Sequence, residues 1–556
     1  MGNNVLEFIN VYNPHFYIAV GLSVFNGFLL CILGYKFLQI IQLTGYRLRG
    51  FYSWTRQTKG NYLIRITMLG LLSFSCMLAM NFTLEAMKIS SYYSYISLVF
   101  YLYFTVYFAA KIRGGVSENK TPLKYTNRMN RLMGTLMLFG TLTTFLLFYL
   151  GWLPNDRYAQ ATSLIGLTPI ALLFLVPMAY YANWPFEAMH QQNFIRKVRK
   201  KIKTLERDKV LFKIGITGSY GKTSVKNILE TILSEKYSVC ASPASFNTPM
   251  GLTKTVLRHL HNEHNVLICE MGARRKNDIK KLCRIVRPDI SILTAIGTAH
   301  LETFGTVDDI KTAKFEIMRA LPSLGLGIFN GESEGAKELF EKAVTEKVLT
   351  GFDKNYFVFA KNISVCDNGT TFTLCLDGGE YKATTKLLGK HNIENILMAV
   401  AVAVRLRVPA KDIVNGIAKL TPSKHRMELI SGGKNGITVL DNSYNSNARG
   451  AEMALEVLSL FKGDRFVATP GMVELGNQQF EINKNFGKQI AVMAKGCFVI
   501  NEINRKALLE GLKEGGMKDE NIYICENLEE AREKFAEILK PGSVILLEND
   551  LPDSYV

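Results

Sequence analysis

No two of the nine cysteines in this 556-residue chain stand as C-x-x-C. A zinc ribbon or a dithiol redox pair needs that spacing, so both are excluded. Cys31, Cys76, Cys240, Cys269, Cys283, Cys366, Cys375, Cys497 and Cys525 form an odd, scattered set, which suits reduced thiols in a cytosol-facing protein. Acid is also short: 48 Asp and Glu stand against 66 Lys and Arg, a formal net charge of +18. No recognised nucleic-acid module is visible, and much of the basic excess lies in short clusters beside apolar runs. That placement points to an anionic membrane surface and away from nucleic acid. The long apolar runs hold no Asp or Glu, which removes an intramembrane carboxylate path and argues against a pump. The first apolar run lacks a basic start and a small-residue cleavage site, so no cleaved signal peptide is expected.

Five apolar segments fill the first third: about Phe16–Ile41, Leu63–Met80, Tyr92–Ala110, Leu132–Leu153 and Leu164–Tyr181. Each is near the ~20 residues that cross a bilayer as helix. The loop after the first holds Arg47, Arg49, Arg56 and Lys59. The loop after the third holds Lys111, Arg113, Lys120, Lys124, Arg128 and Arg131. The other two loops are short and carry only Glu85 with Lys88, and Asp156 with Arg157. Basic loops stay cytoplasmic. Five spans with this alternation put the N-terminus outside and the rest of the chain inside. A bacterial inner, plasma-membrane protein with cytoplasmic catalytic domains is therefore expected. One span would suffice as an anchor, so five suggest a folded bundle. The basic segment Phe194–Lys203 follows, read as a helix that either lies on the anionic inner leaflet or is a solvated linker helix. The expected division is 1–185 membrane helices, 186–209 linker, 210–421 a first α/β domain and 422–556 a second.

From Val210 short apolar strands alternate with amphipathic helices, the pattern of a parallel sheet. Strands are expected at Phe212–Thr217, Val266–Glu270, Ile290–Ile296 and Leu326–Asn330, with a hairpin over 371–386. A helix is expected over Ile393–Leu406. A second series of strands is expected at Ile437–Leu440, Arg465–Thr469, Cys497–Ile500, Ile522–Cys525 and Val544–Leu547. The most informative stretch is Gly218-Ser219-Tyr220-Gly221-Lys222-Thr223-Ser224, between a strand and a helix. Such a turn aims backbone N–H groups and a helix N-terminus at a polyphosphate. Lys222 adds a point charge and Thr223 a hydroxyl for magnesium. Ile216 stands where the first glycine of the full phosphate-loop pattern would fall. Glu270 ends a strand, His300 lies just beyond another, and Lys314 follows on a helix, the positions where such sheets carry function.

Eight pieces occur in one order: Gly218-x-x-Gly221-Lys222-Thr223; Glu270-Met271-Gly272-Ala273; Ala299-His300-Leu301-Glu302-x-Phe304-Gly305; Ala313-Lys314-x-Glu316; Gly389-x-His391-Asn392-x-x-Asn395; His425-Arg426-Met427; Asp441-Asn442-Ser443-Tyr444-Asn445; and Glu474-Leu475-Gly476. Together they resemble the Mur ligase superfamily, ATP-dependent amide-bond formers of peptidoglycan synthesis, over about Lys213 to Leu547. The resemblance implies a central phosphate-loop ATPase domain and a C-terminal Rossmann-like domain. It implies that Gly218–Ser224 and Lys222 hold the ATP phosphates, and that Thr223 and Glu270 ligate one Mg2+. His300 would ligate a second Mg2+, supported by a carbamylated Lys314. Asn395 and Tyr444 would bind adenine, Asp441 the ribose, and Arg426 the γ-phosphate. Asn247 and Thr248, in a Pro/Gly-bounded loop, resemble the acceptor-side loop. The Glu-Met-Gly-Ala and Ser-Tyr-Asn pieces are most similar to the branch that adds D-alanyl-D-alanine to a UDP-muramoyl tripeptide.

Three departures shift the expectation. The membrane segments stand where the soluble members carry their UDP-sugar domain, which favours a lipid-linked acceptor. Pro470–Gly476 lacks that branch's Asp before Met472, and Asn483 sits near its His. Glu548–Asp553 replaces its Lys-Gly-Ser segment, as an acidic site for a cationic amine or as a solvated tail. The leading expectation is a membrane-embedded, ATP-dependent carboxylate–amine ligase. Its acid partner is a lipid-linked or peptidoglycan-precursor carboxylate, and its amine an amino acid or peptide. A D-alanyl-D-alanine-adding ligase, a polyglutamate-type ligase, an ATP-driven lipid-precursor transporter and a silent scaffold are the alternatives.

Overall fold

The computed structural model describes residues 14–46, 48–57, 61–87, 93–114, 122–152, 163–243, 246–299, 301–366, 369–430, 436–444 and 447–550. The chain divides into two compact units, Met1–Gln191 with Pro552–Val556, and Gln192–Leu551. His300 and Asn445 lie outside the described residues, as do Arg47, Lys59, Lys88, Tyr92, Lys120, Asp156, Arg157 and Leu551–Asp553.

The first unit is helical: Pro14–Leu33, Tyr35–Leu43, Leu48–Gln57, Asn61–Ala86, Tyr93–Gly114, Asn127–Trp152 and the start of Thr168–Asp208. The first apolar segment is thus two helices divided at Gly34. By length and composition four stretches could cross a membrane, Phe16–Leu33, Tyr62–Leu84, Asn127–Leu150 and Leu164–Asp208. The remaining expected span is the helix Tyr93–Gly114, within which Ser97–Tyr107 is the apolar stretch.

Small residues let two of these helices touch. A Cβ on Gly27 would stand 2.3 Å from the Thr141 hydroxyl, and one on Gly140 would stand 3.3 Å from the Gly27 Cα. Polar groups lie inside: the Asn26 amide donates to Thr144 Oγ1 at 2.9 Å and Thr168 Oγ1 at 3.1 Å, and accepts from the Tyr101 hydroxyl at 2.9 Å. Apolar groups lie outside, with Phe28, Leu72, Tyr103, Leu142 and Phe174 all exposed.

The second unit is built on two sheets. The first holds β1 (Phe212–Thr217), β2 (Val239–Ala241), β3 (Val266–Glu270), β4 (Ile290–Leu293), β5 (Leu326–Asn330), β6 (Glu346–Gly351), β7 (Val358–Cys366), β8 (Gly369–Leu376) and β9 (Gly379–Thr385). Their order is β2-β3-β1-β4-β5-β6-β7-β8-β9. It is parallel through β7 and ends in the antiparallel β7–β8–β9 ribbon. The second sheet holds β10 (Glu428–Ile430), β11 (Thr438–Asn442), β12 (Arg465–Thr469), β13 (Gly496–Ile500), β14 (Ile522–Cys525) and β15 (Val544–Glu548), in the order β10-β11-β15-β12-β13-β14. It is parallel apart from β10.

Strand β1 is buried on both faces, so it reads as a continuous apolar run. Ile214 and Ile216 pack with Val225, Leu229 and Ile232 of the helix Lys222–Leu233, and with Ile396 and Val400 of the helix Lys390–Arg405. The register Ile216↔Glu270 sets the start of the phosphate loop beside the end of β3, at the carboxyl edge of the sheet.

β4 ends at Leu293, short of the expected Ile296. The residues beyond it turn to the phosphate loop: Ala295 O accepts from Ser219 N at 2.8 Å, and the Thr294 hydroxyl donates to Tyr220 O. Residues 186–208 lie in the unbroken helix Thr168–Asp208. Ile195, Val198, Ile202 and Leu205 pack with Leu252, Val256, Leu282 and Ile285. That spacing is one helix face, so Phe194–Lys203 is neither a freely solvated helix nor one whose apolar stripe faces lipid. The buried Lys213 ammonium pins the helix end, meeting Glu206 at 2.5 Å and Asp289 at 2.9 Å.

Candidate active site

Two glycines make the phosphate loop possible. Gly221 has φ 81 and opens the helix Lys222–Leu233. A side chain there would meet Asn395 Oδ1 at 2.9 Å, and a Cβ on Gly218 would fall 2.0 Å from the Thr294 hydroxyl. The Ser219 hydroxyl donates to Gly297 O at 3.2 Å and accepts from Gly297 N at 3.0 Å. The Tyr220 ring lies 3.0 Å from where a Gly297 Cβ would stand. The loop is therefore pinned before anything binds to it. Ser224 continues on the same helix, part-buried.

Glu270 is the anionic centre of the site. It is 1% exposed. Its carboxylate accepts from the Thr223 hydroxyl at 2.8 Å and the Asn247 amide at 3.0 Å. It makes no ion pair with Arg274, whose guanidinium instead stands 3.9 Å from Glu474.

Four cations feel this one carboxylate. The Lys222 ammonium donates only to carbonyls, Gly218 O at 2.8 Å and Ser219 O at 3.2 Å. Burial holds its pKa below the ordinary lysine value, with Arg426 pushing the same way against Glu270. Lys226, one turn on, is buried and donates to Ser242 O at 2.7 Å, its pKa also lowered by burial. Arg426 reaches in from the second sheet's side. Its Nη2 is 3.4 Å from Thr223 Oγ1, and its guanidinium stacks 4.5 Å over the Tyr444 ring.

Lys314 is buried, 2% exposed, on the helix Val307–Arg319. Burial, with Lys222 adding to it, lowers its pKa far below the lysine range. Its neighbour Glu316 is engaged elsewhere, accepting from Asn277 N at 2.6 Å and Lys280 N at 2.9 Å.

The remaining expected residues fall into two groups. Asn395 is buried beside Gly221. Asp441 accepts from the Ser443 N–H at 3.0 Å and hydroxyl at 2.7 Å, and lies 2.7 Å from His425 Nδ1. Burial pushes its carboxyl pKa up, but Ser443 and His425 outweigh that and hold it below the usual value. Asn247 belongs to the carboxylate cage, and its amide sits 2.9 Å from where a Gly272 Cβ would stand. Thr248 caps the helix Pro249–Arg258, accepting from Gly251 N at 3.2 Å.

Asn483 is fully buried and holds the loop before it, accepting from Met472 N at 2.7 Å and donating to Met472 O and Gln479 O. Glu548 is also fully buried and accepts from the Asn442 amide at 2.8 Å, so it is no part of a solvated tail.

Sequence reasoning missed Lys226, Ser242 and Glu394. The signal for Lys226 was present: residues four apart on a helix share a face, and Lys222 and Lys226 are so spaced. Glu394 accepts from the Asn330 amide at 2.9 Å, and burial raises its pKa. No local pattern marks that pair, because β5 and the helix Lys390–Arg405 bring it together.

The fit to a magnesium polyphosphate rests on this donor set. A hydroxyl and a carboxylate are the hard oxygen ligands that magnesium takes. Basic side chains gathered about the buried Glu270, with only Glu230 and Asp278 acting on them besides, suit a polyanion. The whole is a phosphate-loop α/β protein with a second nucleotide-type sheet supplying an arginine. Residues 216–403 match the Mur ligase middle domain, and residues 425–548 match the Mur ligase glutamate ligase domain. The chain belongs to the Mur ligase family.

The chain is 32% identical over 282 residues to the UDP-N-acetylmuramoyl-tripeptide–D-alanyl-D-alanine ligase of Haemophilus influenzae, covering 50% of this chain and 61% of that one. It is 30% identical over 347 residues to the enzyme of the same name from Buchnera aphidicola subsp. Acyrthosiphon pisum, covering 59% and 74%. A crystal structure of MurF from Acinetobacter baumannii is similar with a TM-score of 0.57 and 26% identity, over 64% of this chain and 77% of that one. The chain thus spans about three fifths of the length of the Haemophilus relative.

Proposed function

We propose that this protein is an ATP-dependent carboxylate–amine ligase acting on a cell-envelope precursor at the inner face of a bacterial plasma membrane. The observation that carries this reading is the cluster of Lys222, Lys226, Lys314 and Arg426 around Glu270, beside a pinned phosphate loop.

A carboxylate is a poor acylating agent at neutral pH. Its oxygen attacks the γ-phosphorus of ATP, the bond to the ADP oxygen breaks, and an acyl phosphate forms. An amine then attacks the acyl carbon, phosphate departs, and the amine loses a proton. Lys222 and the loop N–H groups hold the β- and γ-phosphates. Arg426 approaches the γ-phosphate from the second sheet, so closing the two sheets together completes the site and excludes water. Asn395 and Tyr444 bound the adenine and Asp441 the ribose. Magnesium, when bound, neutralises charge on the phosphoryl oxygens. Thr223 and Glu270 are the side chains that would hold one ion. His300, with Lys314 as its carbamate, would hold a second. A neutral amine is what reacts with carbon dioxide, and burial lowers the pKa of Lys314 in the direction that favours that form. Asn247 fixes Glu270 on the acceptor side.

The acceptor in this reading is a lipid-linked carboxylate, and the helical unit is its membrane dock. Support comes from that unit's inverted polarity, with Asn26 bonded inside and large apolar groups such as Phe174, 70% exposed, outside. Five apolar segments alternating with basic loops support an outside N-terminus.

A second reading is favoured by the relatives' names: addition of D-alanyl-D-alanine to a UDP-muramoyl tripeptide. ADP release from detergent-purified full chain separates the two. Lipid-linked and UDP-linked muramoyl peptides would each be supplied with D-alanyl-D-alanine, single amino acids or glutamate. Turnover should require both an acid and an amine, and Lys222→Ala should abolish it. ADP release that no amine stimulates would sink the ligase reading.

A further inference from the structure

Lys226 is a buried lysine beside the phosphate loop that the ligase reading leaves without a task. It is 2% exposed and lies in the second turn of the helix Lys222–Leu233. Its neighbours Val225, Ile228 and Leu229 pack in the apolar core. A leucine or methionine would suit that setting, and a buried ammonium is costly unless it is bonded. This one is bonded to a particular carbonyl, donating to Ser242 O at 2.7 Å. Ser242 stands where the chain leaves the sheet: β2 ends at Ala241, and Ser242 N still reaches β3, donating to Ile268 O at 3.0 Å. Ser242 is 1% exposed, and a carbonyl buried there needs a donor from within the protein. The Lys226 ammonium supplies it.

From Ser242 the hold passes to Glu270. The Ser242 hydroxyl accepts from Glu270 N at 3.2 Å, which fixes the backbone that carries the carboxylate. Further along the same connection, Asn247 O accepts from Gly272 N at 2.9 Å, and the Asn247 amide donates to Glu270 Oε1 at 3.0 Å. Ser242 and Asn247 thus grip the end of β3, one by its backbone and the other by its side chain. Glu270 Oε2 is left turned to the Thr223 hydroxyl at 2.8 Å, the pair of oxygens that would receive an ion.

We propose that Lys226 is a positioning residue for magnesium: by holding Ser242 it sets Glu270 in the orientation that, with Thr223, receives the ion. Position and charge predict opposite effects here. Lys226 and Glu270 act on one another electrostatically, and a positive group near a metal site repels a divalent cation. By charge alone, removing it would tighten magnesium binding. Loss of the orienting bond does the reverse, because magnesium demands near-ideal placement of its oxygen ligands and a carboxylate free to turn no longer offers it. The inference rests on the ATP-dependent reading and deepens it, since it concerns the metal of the nucleotide and neither the acid nor the amine.

The test titrates magnesium calorimetrically into the detergent-purified full chain saturated with a non-hydrolysable ATP analogue, so no turnover is involved. Lys226→Met fills similar space without the charge or the donor. Lys226→Arg keeps both. Ser242→Ala removes the hydroxyl that meets Glu270 N and leaves the ammonium in place. The expected result is magnesium binding weakened about 10- to 100-fold in Lys226→Met, the usual factor when a residue orienting a metal ligand is lost. It should be weakened less in Ser242→Ala and partly restored in Lys226→Arg. The double variant should be little worse than Lys226→Met, because the two residues act along one chain of contacts. The affinity for the analogue in EDTA should stay as in the native chain, whereas a role in folding alone would weaken it in step. Magnesium binding in Lys226→Met that is native or tighter overturns the proposal, as does an equal loss with and without the metal. Should Lys226→Met fail to fold, native magnesium binding by Ser242→Ala overturns it instead. A native chain that binds no analogue at all is a failure of the ATP reading, seen before any variant is made.

Discussion

Arg426 is the only one of the four clustered cations that comes from the second sheet's side of the site, so replacing it tests closure and nucleotide binding together. The structure supplies two contributions. The guanidinium stacks 4.5 Å over Tyr444, worth about 0.5–2 kcal/mol. Its fork points at Thr223 Oγ1 from 3.4 Å, where a γ-phosphate oxygen would take a charged hydrogen bond of about 1.5–3 kcal/mol. The two are not additive, because one side chain cannot optimise both. A loss of about 2–3 kcal/mol is therefore expected for Arg426→Ala, roughly 30- to 150-fold in Kd for a magnesium complex of a non-hydrolysable ATP analogue. Arg426→Lys keeps the charge but not the planar stack, and should lose roughly 3- to 10-fold. Tyr444→Ala should cost roughly as much as Arg426→Lys, and little more when combined with Arg426→Ala. Isothermal titration on the detergent-purified chain reads all four. If Arg426→Ala binds nucleotide as tightly as the native protein and turns over at the same rate, the two-sided site is wrong.

Four further outcomes are expected. Gly218→Ala would drive a methyl into Thr294, whose hydroxyl stands 2.0 Å from that position, so nucleotide binding should be lost while the purified chain stays folded by circular dichroism. Lys314→Ala should be inactive and regain ADP release with added acetate or formate if a carbamate acts there; no recovery would remove that role. Asn483→Leu leaves the Met472 N–H without its 2.7 Å acceptor, an expected cost of about 1–3 kcal/mol, seen as faster hydrogen exchange over 470–476. His391 is pushed down to about 4, chiefly by burial and then by Arg449. Its folded value lies below the ordinary 6.5, so the unfolded chain takes the proton first as pH falls. Stability is complete above about 6.5 and is lost progressively toward 4. The shift corresponds to about 3 kcal/mol at most. Hydrogen exchange in the helix Lys390–Arg405 should rise from pH 7 to 5 in the native protein and much less in His391→Gln.

The catalytic sheet was legible because its central strands are buried on both faces, and burial writes an unbroken apolar run. β1, β3 and β5 fall on the expected residues for that reason. β2, with three residues, and β6, with its half-exposed Glu346-Lys347 start, carry no such run. β10 is a three-residue edge strand held by pairing to β11. Gly218, Lys222, Thr223 and Glu270 could be read from local spacing, because loop and helix geometry dictate which residue types fit there. The Glu394–Asn330 pair could not, since a long crossover separates its members. Asn483 was legible as a departure from the related branch but not as a clamp, because its partners come from the folded loop. The segment at 186–209 looked like a linker because its charges dominate the composition. The three-residue spacing of Ile195 and Val198, continued by Ile202 and Leu205, is what docks it.

The basic side chains gathered about Glu270 have a bearing on how the protein behaves at rest. A dense negative ligand seated there would offset the repulsion among these side chains, so the nucleotide would act as part of the scaffold as well as a reactant. Saturation at a hundred times Kd would add about 2.7 kcal/mol of resistance to unfolding.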